Sequence, residues 1–363
     1  MFLAFRDAFV FGTAFGMGAA TTTNTITGTD LGETHTGTDQ NDLIDALGGN
    51  DTLLGGKGLD TLLGGKGKDI LDGGASKDII KGGAGNDTIK VSLGADRING
   101  GKGMDTLDAS DMKSGVTVNV TGSNQFFPAI PPGTVTLANG TVQKIIGVEN
   151  FIGSKFDDKF YTAATGATAK GGKGNDRMEA DGDQSLLVGG AGNDVLRLDG
   201  GFSKVLGGAG DDYISSFGPT NTVNGGIGND TISFTFGMVS KIGATPSVIR
   251  GGAGNDTLMW LDDDTDRDLY PEALKVFGGG GADIFDFGFY NTGTIQDFKP
   301  GVDKVDLSTH LSRENTSFEE LMTMVTDTPN GAKLKLNYTT IANHEFVFKG
   351  VMADDFIDGD FIF

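Results

Sequence analysis

The chain has 363 residues, 61 of them glycine and none cysteine, and a formal net charge of -21. Without cysteine, thiol catalysis and disulfide bracing are excluded, and the negative charge argues against nucleic acid or anionic membranes as partners. Of the 49 acidic residues eight are Glu and 41 are Asp. A merely solvated acidic surface would use Glu freely, so the bias points to short-armed carboxylates held in tight turns.

Residues 1–36 form an N-terminal lead. Within it, residues 8–20 make an apolar run ending in small residues, as a signal peptide would. Asp7 accompanies Arg6, however, and the run is rich in glycine, so the expectation is a poorly ordered lead or a cap on the repeat region. Only these 36 residues precede the repeats, too few for a catalytic domain. No stretch of the chain reads as a transmembrane helix.

From Gly37 to Asp108 the chain can be cut every nine residues, and position six of each cut is Asp: Asp42, Asp51, Asp60, Asp69, Asp78, Asp87, Asp96 and Asp105. Position eight is always Leu or Ile, from Ile44 to Leu107. Glycine crowds the first four places, and a helix is excluded because glycine costs about 1 kcal/mol per helical site. The unit reads as a turn followed by a very short strand whose aliphatic side chain points inward. Two units close one coil. Turns 18 residues apart then lie roughly 4.8 Å apart and can share an ion, Asp60 with Asp42 and Asp78, Asp69 with Asp51 and Asp87. Glycine lets turn carbonyls point inward, so Gly56, Gly58, Gly65, Gly67, Gly83, Gly85, Gly101 and Gly103, with Asn86, join the aspartates as candidate ligands. Such hard oxygen donors suit Ca²⁺ better than Mg²⁺ or a transition metal.

In this pattern, as in Gly55-Gly56-Lys57-Gly58-Leu59-Asp60-Thr61-Leu62-Leu63, the chain resembles the RTX, or haemolysin-type, calcium-binding repeat family. The resemblance implies an all-β chain, a right-handed parallel β-roll (a β-solenoid) in two blocks with several calcium ions in its turns and a C-terminal β-rich cap.

Residues 109–143 break the period. Val116, Val118 and Val120 alternate as in a strand, a proline-rich stretch covers 126–132, and 134–137 is again strand-like, so a hairpin or strand pair is expected to separate two rolls. Residues 148–158 look like the segment that re-enters a roll in this family. A second block spans 144–283. Here Asp158, Asp176, Asp194, Asp212 and Asp230 hold position six of alternate units, while the intervening units carry Ala167, Ser185, Ser203 and Asn221. Calcium is therefore expected on both edges of the first block and mainly on one edge of the second. The candidate ligands of that edge are the five aspartates with Gly172, Gly174, Asn175, Gly190, Gly192, Asn193, Gly208, Gly210, Asp211, Gly226, Gly228 and Asn229. Two further turns, Gly252, Gly254, Asn255 and Asp256, then Gly279, Gly281 and Asp283, come at offsets of 26 and 27 residues, so insertions or a slipped coil must intervene. Asp262, Asp263, Asp264, Asp266 and Asp268 form a separate cluster, read as a solvated loop or a further ion site.

Residues 284–363 resemble the terminal cap of RTX proteins. A short helix is expected at 317–325 with Ser317 as N-cap, then strands at 332–338 and 345–349. The ending Asp360-Phe361-Ile362-Phe363 is similar to the uncleaved signals read by type I secretion machinery, the export reading being preferred to a plain last strand.

His35, His310 and His344 are dispersed, and neither a His-Glu-x-x-His nor a Gly-x-Ser-x-Gly motif occurs. The remaining enzymatic option is a lyase or epimerase site on the solenoid face, drawing on Arg177, Arg197, Lys204 and Arg250. A third option is an adhesive or matrix rod presenting 109–140 or 234–249, with Phe234, Phe236 and Trp260 against a polysaccharide or cell surface. The sequence reading is a secreted, extracellular, non-catalytic calcium-binding protein whose repeats order outside the cell.

Overall fold

The computed structural model describes residues 23–120, 133–235, 246–261, 274–287, 293–308, 316–338 and 342–363, with backbone alone at 287, 337–338 and 342–344. Residues 1–22 of the lead, the proline-rich stretch, Phe236, the Asp262 to Asp268 cluster, His310 and the His344 side chain lie outside what is described, while Asn24–Thr27 and Thr34–Thr36 of the lead are strands of the roll.

Two long parallel sheets, of 17 and 16 strands, lie face to face, and successive nonapeptides alternate between them. Thr52–Lys57 pairs in parallel with Ile70–Ala75, and Thr61–Lys66 with Ile79–Ala84, so that Leu53 lies beside Leu71 and Leu62 beside Ile80. The strands are six residues long, running through the first glycines of the next unit. Strand alternation explains this length: Leu53 and Gly55 both face inward, and the glycine leaves room where an Asp side chain enters. The position-eight aliphatics form one continuous core. Ile44, Leu53, Leu62, Leu71, Ile80 and Ile89 are 0% exposed, as are Leu187, Val205 and Val223 of the second block. Each such side chain contributes about 1.5–3 kcal/mol of burial free energy.

The hairpin read at 109–140 is present, but both sheets run through it. On one sheet Leu107 pairs directly with Phe151. On the other, a single strand is replaced by three, Val116–Val120, Gly133–Leu137 and Val142–Ile146, in an antiparallel meander. Its outer strands pair in parallel with Lys159–Thr162 and Arg97–Lys102. Val118, Val135 and Ile145 point into the same core as the repeats, which is why the insert is woven in rather than set apart.

After Thr235 the coil keeps its register. Gly226 pairs with Gly252, and Gly252 with Gly279, so the extra residues at the longer offsets fall between strands and no coil has slipped. In the C-terminal part the helix is Phe318–Met322, with Ser317 and Glu320 forming a capping box. Gly331–Tyr338 and Ala342–Lys349 form a hairpin, and the terminal Phe361–Ile362 is a strand paired with Lys304–Asp306. Phe298, Phe348, Phe356 and Phe361 pack together, with neighbouring ring centroids 5.1 to 5.7 Å apart. No described helix is long and apolar enough to cross a membrane.

Candidate metal centre

The position-six aspartates form ladders along the two edges of the roll. On one edge the backbone N–H of Asp42 donates to Asp60 Oδ1, that of Asp60 to Asp78 and that of Asp78 to Asp96, each at 2.8 Å. Asp51, Asp69, Asp87 and Asp105 repeat this on the other edge at 2.8 to 2.9 Å. In the second block the ladder runs through Asp158, Asp176, Asp194, Asp212, Asp230, Asp256 and Asp283, and continues to Asp303 at 3.1 Å.

One oxygen of each carboxylate is thus accounted for; the other is also bonded at Asp42, Asp96, Asp158 and Asp303, but not along the rest of the ladders. Among the described residues, Oδ2 of Asp51, Asp60, Asp69, Asp78, Asp87, Asp105, Asp176, Asp194, Asp212, Asp230, Asp256 and Asp283 is buried without a hydrogen-bond partner. Leaving a buried charged acceptor unsatisfied costs upwards of about 1–3 kcal/mol. Burial pushes the carboxyls of Asp78, Asp176, Asp212 and Asp256 up to about 7, against hydrogen bonds that lower them, and flanking carboxylates add to the rise. Asp42, at the start of its ladder, differs. Burial raises it too, but bonds from Thr38 and Asn24 outweigh that and hold it below its ordinary value.

Backbone oxygens complete the surroundings. A Cβ at Gly189 would stand 2.2 Å from Asp194 Oδ2 and 2.6 Å from the carbonyl of Gly207, so only glycine admits both. At Gly190 and Gly192, with φ of +120 and +131, a Cβ would stand 2.2 and 1.9 Å from the carbonyls of Gly172 and Gly174. Position-two and position-four carbonyls therefore point along the stack at the next coil. Together with Asp Oδ2 they line the space between successive turns, and all of these donors are hard oxygens.

The turn of Asp96 shows that these oxygens converge on one point. There the side-chain amide of Gln143, itself 0% exposed, donates through Nε2 to the carbonyls of Ser92 at 2.9 Å and Gly94 at 3.2 Å and to Asp96 Oδ2 at 2.8 Å. Positions two, four and six of this turn thus reach a single electropositive nitrogen. The equivalent oxygens of the other turns fit Ca²⁺ by donor type and by the unneutralised charge they gather.

On the alternate edge of the second block the position-six ladder runs from Ser185 to Ser247 without carboxylates. Ser185 N–H donates to Ser203 Oγ, Ser203 N–H to Asn221 Oδ1, and Asn221 N–H to Ser247 Oγ, at 2.9 to 3.2 Å. The hydroxyl protons then turn inward, Ser185 to the Gly182 carbonyl and Ser203 to the Gly201 carbonyl. Asn221 Nδ2 lies within 3.0 to 3.2 Å of Gly200 O, Ser216 Oγ, Phe217 O and Gly218 O. This edge therefore supplies its own protons where the carboxylate edge has none.

Asn86, Asn175, Asn193, Asp211, Asn229 and Asn255 occupy position five and form ladders of their own. Their Oδ1 atoms accept the N–H of position five in the next coil, as from Asn193 to Asn175 at 2.8 Å and from Asn229 to Asp211 at 2.7 Å, on the exposed rim. Period alone could not separate rim from interior. It also could not find Gln143, Glu149 or Asp303, which lie off the nine-residue count.

Three of the residues considered for chemistry on the solenoid face have local partners. Arg177 pairs with Glu179, Arg197 with Asp199 at 2.8 Å, and Arg250 lies 4.7 Å over the Phe277 ring. Phe234 and Trp260 are each 3% exposed and pack on one another at 5.6 Å, so they belong to the core.

Two family models match the chain. The model for the RTX calcium-binding nonapeptide repeat matches in four copies, at residues 27–62, 36–71, 57–89 and 72–107. The model for the peptidase M10 serralysin C terminal matches residues 98–361. A crystal structure of the extracellular lipase LipA from Serratia marcescens aligns with a TM-score of 0.20 at 14% identity, covering 87% of this chain and 40% of that one. No curated protein matches the chain.

Proposed function

The chain belongs to the family of RTX calcium-binding repeats with a serralysin-type C-terminal domain, and from that premise we propose that it is an exported, non-catalytic protein whose roll folds when calcium fills its Asp turns. The position-six aspartates whose Oδ2 has no hydrogen-bond partner, with the glycine carbonyls at positions two and four, are the ligands, whereas the Asp96 turn is closed by Gln143. Calcium supplies the positive charge and the preference for six to eight hard oxygens that these turns lack. The chain's role outside the cell is structural, as a surface or matrix component.

The row of twelve buried Oδ2 atoms without a hydrogen-bond partner carries this reading. In calcium-poor cytosol the closely spaced carboxylates and the conformational entropy of 61 glycines oppose stacking, which keeps the chain extended for a type I exporter. Outside, binding free energy becomes folding free energy. The terminal segment that such an exporter would read becomes the strand Phe361–Ile362 once folded. Far-UV circular dichroism tests this: the calcium-free chain at neutral pH should show little β-signal and gain it cooperatively with calcium. A spectrum already rich in β-structure, unchanged by calcium, would overturn the mechanism.

A further inference from the structure

At the joint between the two blocks the repeat count fails, yet the carboxylate ladder does not. Asp105 N–H donates to Glu149 Oε2 at 3.0 Å, across a separation of 44 residues. Thr106–Asp108 pairs with Asn150–Ile152, so Glu149 stands where position six of the next coil would be. The surroundings match a regular turn at positions one and six, although Val148 alone separates Gly147 from Glu149. A Cβ at Gly100 would stand 2.5 Å from Asp105 Oδ2 and 1.9 Å from the carbonyl of Gly147, just as one at Gly189 meets Asp194 Oδ2 and the Gly207 carbonyl. Gly147, at φ +60, thus brings its carbonyl to the place that position one of the next coil fills elsewhere. Asp105 is 0% exposed, and its Oδ2 has no hydrogen-bond partner among the described residues.

We propose that this joint is a composite calcium site, with Gly101 O, Gly103 O and Asp105 Oδ2 from the first block and Gly147 O and Glu149 from the second. The proposal rests on the reading of the Asp turns as calcium ligands, and extends it to a carboxylate outside the repeats. On the opposite edge of the same joint the Gln143 amide takes the three oxygens of the Asp96 turn. The joint is therefore asymmetric: one edge is held by an ion that links stretches 44 residues apart, the other by a side chain needing no metal.

Bound calcium per chain, measured by equilibrium dialysis of the full-length protein, tests this with Glu149→Gln and with Asp69→Asn as a control inside the repeats. Each variant should hold one ion fewer than the parent. If Asp69→Asn lowers the count and Glu149→Gln does not, the joint is no site, while the general reading stands. If neither lowers it, the reading of the Asp turns fails as well. A terbium-soaked crystal of the unmutated protein decides the matter even if Glu149→Gln does not fold. Anomalous density between the Asp105 and Glu149 turns is expected, and its absence while the Asp60 and Asp69 turns are occupied would overturn the proposal.

Discussion

Within residues 153–235 the same coils carry two unlike edges. Asp176, Asp194 and Asp212 on one side and Ser185, Ser203 and Asn221 on the other hold the same 18-residue backbone ladder at nearly the same distances. A carboxylate is thus not needed to stack the coil, because a hydroxyl or an amide oxygen accepts the N–H equally well. What differs is the second function of each side chain. Serine and asparagine turn a proton toward the turn carbonyls, while aspartate turns an anionic oxygen that no group neutralises. The comparison teaches that the two edges differ by one unneutralised oxygen per turn, which is where the proposed calcium dependence resides.

Acid should break the contrast most strongly. In the metal-free roll Asp78, Asp176, Asp212 and Asp256 titrate at about 7, against 3.8 for an unperturbed aspartate. Between those values the unfolded chain gives up its protons before the roll does, so the roll loses stability as pH rises and gains it as pH falls. Circular dichroism in calcium-free buffer should therefore show more β-structure at about pH 5 than at about pH 8, and calcium should be bound more weakly at the lower value. A pH-independent calcium-free spectrum would contradict the picture of unneutralised turns.

Asn221→Asp should make the neutral edge resemble the other. The new carboxylate keeps the oxygen that Ser203 N–H uses but loses the amide protons that satisfy Gly200, Phe217 and Gly218. Urea denaturation of the calcium-loaded protein should show a loss of about 1–3 kcal/mol relative to the parent, shrinking as the calcium concentration is raised. Ser203→Ala loses two hydrogen bonds, from Ser185 N–H and to the Gly201 carbonyl, and should cost about 1–3 kcal/mol at any calcium concentration in the same denaturation series.

The period alone makes much of this legible. Asp at position six and an aliphatic at position eight specify a turn that approaches its copy in the next coil and a side chain that enters the core. Ser185, Ser203 and Asn221 mark the edge where the carboxylates stop. Features that break the count stay hidden. Glu149 and Gln143 lie beyond an insertion, and only strand pairing shows which turns they meet. Asn175 and Asn193 share composition with their neighbours, but strand direction turns them to the rim, where they bond to one another rather than into the space between coils. Trp260 reads from the sequence as a packing residue of a narrow roll or as a sugar-stacking one, and alternation along Thr257–Trp260 buries it.

The calcium count of two paired variants tests the central claim most directly. Asp194→Ala with Asp212→Ala removes two Oδ2 atoms from one edge, and Ser185→Ala with Ser203→Ala removes two hydroxyls from the other. Measured by equilibrium dialysis at saturating calcium, the first pair should bind fewer ions than the parent and the second the same number. Equal losses from both pairs, or no loss from the aspartate pair, would contradict an account in which calcium tracks the carboxylate edge.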